Sequence, residues 1–155
     1  MSIIDYAHLS DVNPIDFLPI LNKPATRTHL IEHRLFTEAT VTEWVESKIQ
    51  LDQLPGCRIR AIRITGVLVG WCGIQNENSQ YEMAIVLDDS HWGIGKRVFA
   101  DMMHWAEELK HKRLVIHLLD TRRKYRSLRK MAKRVYATEM LGARFTTYEL
   151  SINDE

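Results

Sequence analysis

The sequence predicts an α/β domain in which an antiparallel meander of three strands runs into a parallel strand-helix-strand crossover. Three observations carry this expectation. Ile59, Ala61, Ile62 and Ile64 alternate loosely with Arg58, Arg60 and Arg63, and the turn Thr65-Gly66 leads into the apolar run Val67 to Ile74, which reads as a β-hairpin. The run Tyr81-Glu82-Met83-Ala84-Ile85-Val86-Leu87 is a third strand entered through the turn Asn76-Glu77-Asn78-Ser79. Beyond it Val98, Met102, Trp105 and Leu109 recur at helical spacing, and Leu114-Val115-Ile116-His117-Leu118-Leu119 is a nearly continuous apolar strand of the kind buried on both faces.

The rest of the chain fits around this centre. Asn13 caps a short helix with Pro14 in its first turn, and Ile15, Phe17, Leu18 and Leu21 supply its apolar side until Pro24. A second helix opens at Thr37 or Thr40, where Thr40 and Glu43 have capping-box spacing, and Pro55-Gly56 ends it after the stripe Val41, Trp44, Val45 and Ile49. The crossover helix runs from Gly93 to about Lys110, where Lys110, His111, Lys112 and Arg113 suit a helix C-terminus. A last helix is expected from about Tyr125 to Leu141, carrying Leu128, Met131, Ala132, Val135 and Met140 and stopped by Gly142, before a final strand from Ala143 to Leu150.

Composition sets limits. The 155 residues, 45% of them hydrophobic, suit a single domain with one continuous core. With 21 basic and 20 acidic residues the net charge is +1, so no global field points to nucleic acid or membranes. The start has no basic region followed by an apolar core, and no stretch approaches the roughly 20 apolar residues of a membrane span, so the expected location is cytoplasmic. Cys57 and Cys72 lie in apolar strands, where a reduced buried thiol is expected.

The chemistry concentrates in Asp88-Asp89-Ser90-His91-Trp92-Gly93-Ile94-Gly95-Lys96, between a strand and a helix. Glycines there permit positive φ and leave room for an anion at the positive end of the helix, as a diphosphate requires; the alternative is a tight turn needing glycine only for sterics. The order of elements, with Glu82-Met83-Ala84-Ile85-Val86-Leu87-Asp88-Asp89, then Trp92-Gly93-Ile94-Gly95, Trp105-Ala106-Glu107-Glu108-Leu109 and Lys112-Arg113-Leu114, resembles the GNAT acyltransferase superfamily from about Asn13 to Leu150. The resemblance implies a mixed, mostly antiparallel sheet of about six strands flanked by four helices, with the parallel crossover at its centre.

It also implies acetyl-CoA as co-substrate, with no metal. The pantetheine would lie against strand backbone at Ile85, Val86 and Leu87, and the pyrophosphate against Trp92, Gly93, Ile94, Gly95, Lys96 and Arg97. Arg123 and Lys124, with Arg126 near them, would reach the 3′-phosphate. Ser90 stands where the family has Arg or Gln, and Thr138 where it has Tyr, unless Gly95 is the first family glycine and Trp92 the equivalent residue.

The implied reaction is N-acetylation of a primary amine by direct attack in a ternary complex. Glu82 is the candidate base, against a solvated strand charge or an arginine partner as the plainer role. Tyr136 is the candidate acid, against a ring packed in the core, and Tyr125 is a weaker one. The oxyanion would meet a backbone N–H near Val86 or Leu87. His91 lies in the turn facing a ligand, and His117 reads as a satisfied buried residue. His29-Leu30-Ile31-Glu32-His33 has the letters of a zinc hydrolase pattern but no helix setting or third ligand, so no metal is expected.

Eight of the thirteen residues from Arg122 to Arg134 are basic. On a helix this is a solvated face, or a landing site for nucleic acid or an acidic partner in a catalytically weak or inactive binding module. The acceptor stays open among a protein N-terminus or lysine, a small amine and aminoacyl-tRNA, and a homodimer is compatible with the chain.

Overall fold

Which residues alternate, and which face each strand turns to which helix, sets the architecture. The computed structural model describes residues 3–24, 34–77, 79–119, 126–140 and 142–152. Within them the chain forms β1 (Ile4–Ala7), two short 3-10 turns at Leu9–Asp11 and Pro14–Phe17, α1 (Leu18–Leu21), α2 (Glu38–Asp52), β2 (Arg58–Ile64), β3 (Val67–Glu77) and β4 (Gln80–Leu87). A 3-10 segment at Asp89–Ile94 leads into α3 (Gly95–Glu108), followed by β5 (Arg113–Leu119), α4 (Arg126–Met131), β6 (Ala132–Met140) and β7 (Ala143–Ser151). The strands make one sheet in the order β1-β2-β3-β4-β5-β7-β6, antiparallel throughout except for β4 beside β5.

The meander and crossover are as the sequence predicts, with seven strands rather than about six. Period-2 alternation divides the sheet between two cores. Cys72 and Ile74 of β3, Met83 and Leu87 of β4, Leu114 and Ile116 of β5, and Tyr148 and Leu150 of β7 face α3, which buries Val98, Met102 and Ala106 against them. Trp71 and Val86 face the other way, toward Phe17, Leu21, Val41 and Val45 of the N-terminal helical layer.

Helix α2 is entered by a capping box, but Thr37 is the cap. Its side chain accepts from Thr40 N–H while Thr40 Oγ1 accepts from Thr37 N–H, so Thr40 holds the place the sequence reading gave to Glu43. Gly56, Gly66 and Gly142 have positive φ, whereas Gly95 is helical at φ −55, so the expected left-handed glycines at the turn into α3 are corrected.

Two further corrections concern long-range pairing. β1 is absent from the sequence reading, because four residues carry too little period to declare a strand; Ile4 to Ala7 are drawn into one by pairing with Ile64 to Ala61. The expected helix from Tyr125 to Leu141 ends at Met131, and residues 132–140 form β6. Val135, Tyr136 and Thr138 are β-formers, and pairing with Tyr148, Thr147 and Phe145 of β7 outweighs the helix spacing of Leu128, Met131, Ala132 and Val135. Gly142, at φ +75, turns the β6-β7 hairpin instead of stopping a helix.

Among the described residues the basic run expected as one helix from Arg122 to Arg134 is therefore divided between a helix and a strand. Arg126, Arg129 and Lys130 are exposed on α4, Lys133 and Arg134 belong to β6, and Arg122, Arg123, Lys124 and Tyr125 lie outside the described residues. The stretch His29-Leu30-Ile31-Glu32-His33 lies outside them too.

Candidate active site

Parallel neighbours at the centre of the sheet define the site. Among the described residues β4 and β5 pair at one position, Glu82 opposite Val115. Beyond it β4 keeps its ladder to β3 as far as Leu87, and β5 keeps its ladder to β7 as far as Leu119. Past Glu82 these two strands share no ladder, and the opening lies between them.

The backbone along this opening follows from strand alternation. Asp88 N–H donates to Val69 O at 2.8 Å, on the β3 side. The Leu87 carbonyl, across the same planar peptide, points the opposite way, and there the Trp92 indole N–H donates to it at 2.9 Å. Two residues earlier, Ile85 presents its N–H and C=O to the same opening. Val86 and Leu87 are buried, and Trp92 is 47% exposed beside them.

The turn after β4 is held by its own side chains. Asp88 accepts from Ser90 N–H, and its carboxylate also accepts from the Ser90 hydroxyl. Ser90 Oγ lies 2.8 Å from His91 Nδ1. Lys23 reaches across from the end of α1 to ion-pair with both Asp88 and Asp89. Burial alone would raise the Asp88 pKa, but the bonds from Ser90 and Lys23 outweigh it and hold the carboxyl below the usual carboxylate range. A Cβ built on Gly93 meets nothing within 4 Å, and one on Gly95 meets only Leu87 Cδ1 at 3.9 Å. Glycine is therefore needed at these positions, if at all, for room beside an approaching group. Lys96 and Arg97 are exposed on the first turn of α3, where Arg97 Nε donates to Asp101 at 3.4 Å. An acyl-CoA fits this cradle: amide groups at Ile85, open space at the glycines, and the positive end of a helix of fourteen residues.

At the vertex of the opening Glu82 joins a row of polar groups crossing the sheet on the face away from α3. Lys48 Nζ donates to Gln75 Oε1 at 2.8 Å, and Gln75 Nε2 donates to Glu82 Oε1 at 3.3 Å. His117 Nε2 lies 3.7 Å from Glu82 Oε2. On its other side His117 Nδ1 is 2.7 Å from Thr147 Oγ1, which is 2.6 Å from Thr138 Oγ1. The side chains of Glu82 and His117 are 16% and 11% exposed, so the carboxylate is not a solvated strand charge.

Tyr136 is the predicted residue the fold does not bring to Glu82. It sits on β6 opposite Thr147, with Arg134 over its ring at 5.2 Å. Strands β5 and β7 intervene, which at strand spacing is roughly 14 Å from Glu82. Gln75, Lys48 and Thr147 were not singled out from the sequence, and His117 only as a buried residue. An isolated polar residue inside an apolar strand was the one available signal. Cys72 is buried and its thiol is pushed up by that burial, leaving an unreactive packing group. Among the described residues no group of three or more His, Cys, Asp and Glu is placed to hold a metal, and no helix is long and apolar enough to cross a membrane.

The fold as a whole is shared with solved acetyltransferases. A Salmonella typhimurium protein solved with acetyl-CoA as its cofactor is similar over 100% of this chain and 96% of its own, at 15% identity and a TM-score of 0.68. The Salmonella typhimurium acetyltransferase that modifies the N-terminal serine of ribosomal protein L7/L12 matches over 97% of this chain and 94% of its own, at 18% identity and 0.69. An N-acetyltransferase of Thermoplasma acidophilum in complex with coenzyme A matches over 97% and 99%, at 12% identity and 0.61. Among curated proteins none matches the sequence. The model of the acetyltransferase (GNAT) domain matches residues 3–128, and the chain belongs to the GNAT acetyltransferase family.

Proposed function

We propose that this protein transfers an acetyl group from acetyl-CoA to a primary amine by direct attack in a ternary complex. The observation that carries this reading is the parting of β4 from β5 immediately beyond Glu82, with a carboxylate of low exposure at its vertex. Ile85 would bond a pantetheine amide as a neighbouring strand would. Leu87, its carbonyl already taken by Trp92, would contribute through its N–H. Trp92 to Arg97 would meet the pyrophosphate at the start of α3, and Arg123 and Lys124 the 3′-phosphate.

Glu82 would accept the proton of the attacking amine, directly or through one water. Gln75 N–H already bonds one of its oxygens and favours the ionised form that a base needs. The tetrahedral oxyanion would lie near the N–H of Leu87, since strand alternation turns the Val86 N–H toward β3. The leaving thiolate needs little help near neutral pH, since a thiol has an ordinary pKa of about 8.5, so the reading asks no proton of the distant Tyr136. The acceptor is a protein N-terminus or lysine, a small amine or aminoacyl-tRNA. The serine-modifying enzyme among the similar structures makes an N-terminal peptide the first to try.

Calorimetric titration with acetyl-CoA, CoA and 3′-dephospho-CoA tests the reading. Micromolar binding, weaker without the 3′-phosphate, is expected. Gly93→Trp should weaken it more than tenfold without unfolding the chain, because a side chain there fills open space. Unchanged affinity in that variant would sink the assignment.

A further inference from the structure

The polar row does more than bury a carboxylate, and the donors along it have a definite sense. Lys48 only donates, so the Gln75 oxygen faces it and the Gln75 nitrogen faces Glu82. With Nε2 facing an ionised Glu82 at 3.7 Å, the neutral His117 imidazole attracts the carboxylate only as the Nε2–H tautomer, and that tautomer is assigned to it. Nδ1 is then a lone pair, Thr147 must donate to it, and the Thr147 oxygen in turn accepts from Thr138.

We propose that His117 is a positioning residue for Glu82, keeping the carboxylate ionised and in place at the strand opening through a Thr138-Thr147-imidazole relay. The inference rests on the assignment of Glu82 as base. At 3.7 Å the His117–Glu82 contact is wider than a hydrogen bond, within the range of charge-dipole and ion-pair attraction. It is also held from behind, by Thr147 and by Phe145, whose ring meets the imidazole edge-on at 6.3 Å. Each of the three residues comes from a different strand, β5, β7 or β6, so the imidazole is fixed by the sheet itself.

Protonation of His117 would turn a neutral donor into a cation against Glu82. The two groups then titrate as a pair: a proton on the imidazole leaves Glu82 ionised but a weaker base, and the base itself is lost only when the carboxylate is protonated. Among the described residues, the other charged or titratable groups placed on this face are Lys48 of α2, reached through Gln75, Glu149 of β7, which is paired with Arg113 and Arg134, and Tyr136 of β6.

The test is 15N-histidine NMR of the full chain between pH 5 and 9, for the wild type, Glu82→Gln and Thr147→Val. His117 should be the Nε2–H tautomer in the wild type and a mixture in Thr147→Val. Glu82→Gln should lower its pKa by about one unit or more, because the facing anion is gone. In parallel, the acid limb of kcat should move by about one pH unit or more in His117→Gln, with KM for acetyl-CoA unchanged. An Nδ1–H tautomer, or the same His117 titration with and without the Glu82 charge, overturns the proposal. Acetyl transfer without coupled titration overturns this inference alone; coupled titration in a protein that binds no acetyl-CoA upholds the coupling and overturns the enzymatic reading.

Discussion

The two faces of β4 are made by alternate residues of one eight-residue strand, yet they obey different rules. Met83 and Leu87 turn to α3 and are nearly inaccessible among Met102, Val98 and Ala106. Glu82, one residue from Met83, turns to the opposite face and meets Gln75 and His117. The first face gains stability from area removed from water, about 1.5–3 kcal/mol for each large side chain fully buried. The second holds a carboxylate that is costly to bury and repaid only by matched donors. The α3 side of the strand is thus apolar packing, whereas the other side packs Val86 in the second core and gives one position, Glu82, to a carboxylate.

This contrast can be broken from either face. Glu82→Gln should slow acetyl transfer by about 10²- to 10⁴-fold, some 3–5 kcal/mol of transition-state stabilisation, while the urea midpoint barely moves, because the amide keeps the volume. Comparable loss of folding stability would show that Glu82 is structural. Met102→Ala on the opposite face should cost about 2–5 kcal/mol in chemical denaturation and leave the pH dependence of catalysis alone. Gly70→Ala lies between the two: a Cβ there comes within 2.0 Å of Val86 O, backbone against backbone, so β3 must move from β4. We expect about 1–3 kcal/mol of destabilisation and, through the displaced Val86 and Leu87, weaker acetyl-CoA binding; calorimetry beside urea unfolding would separate the two.

The smallest effect concerns Tyr6 of β1, whose hydroxyl donates to Asp101 of α3 at 2.5 Å. Burial first, then the Asp101 carboxylate, pushes its pKa above the ordinary phenol value near 10. The folded state thus prefers the neutral phenol. Its contribution is fully present below about pH 10 and is lost as pH rises further. Urea unfolding at pH 8 and about pH 11 should show a smaller alkaline loss in Tyr6→Phe than in the wild type, and equal losses would remove this pair from the account.

Much of this architecture was legible before any coordinates. The hairpin at Thr65-Gly66, the third strand, the helix carrying Val98 and Met102 and the buried strand at Leu114 all announce themselves by period and by turn residues. These are local signals, written within about ten residues. Glu82 was a candidate through the resemblance of its strand and the glycine turn after it to the GNAT motif, which is again local. Residues 132–140 were misread because Ala132 and Val135 fit a helix as well as a strand, and Gly142 punctuates both.

Tertiary structure alone decided the remainder. β1 exists because Ile64 to Ala61 offer it an edge, and β6 because β7 does. His117 meets Thr147 thirty residues away, and Lys48 meets Gln75 across twenty-seven, so no window along the chain contains either pair. By itself the sequence determined the meander from β2 to β4, the helix α3 and the strand β5, since period and turn chemistry act between near neighbours. Which polar side chains share a face and trade hydrogen bonds depended on sheet order and register, and these are selected by pairing between strands remote in the chain.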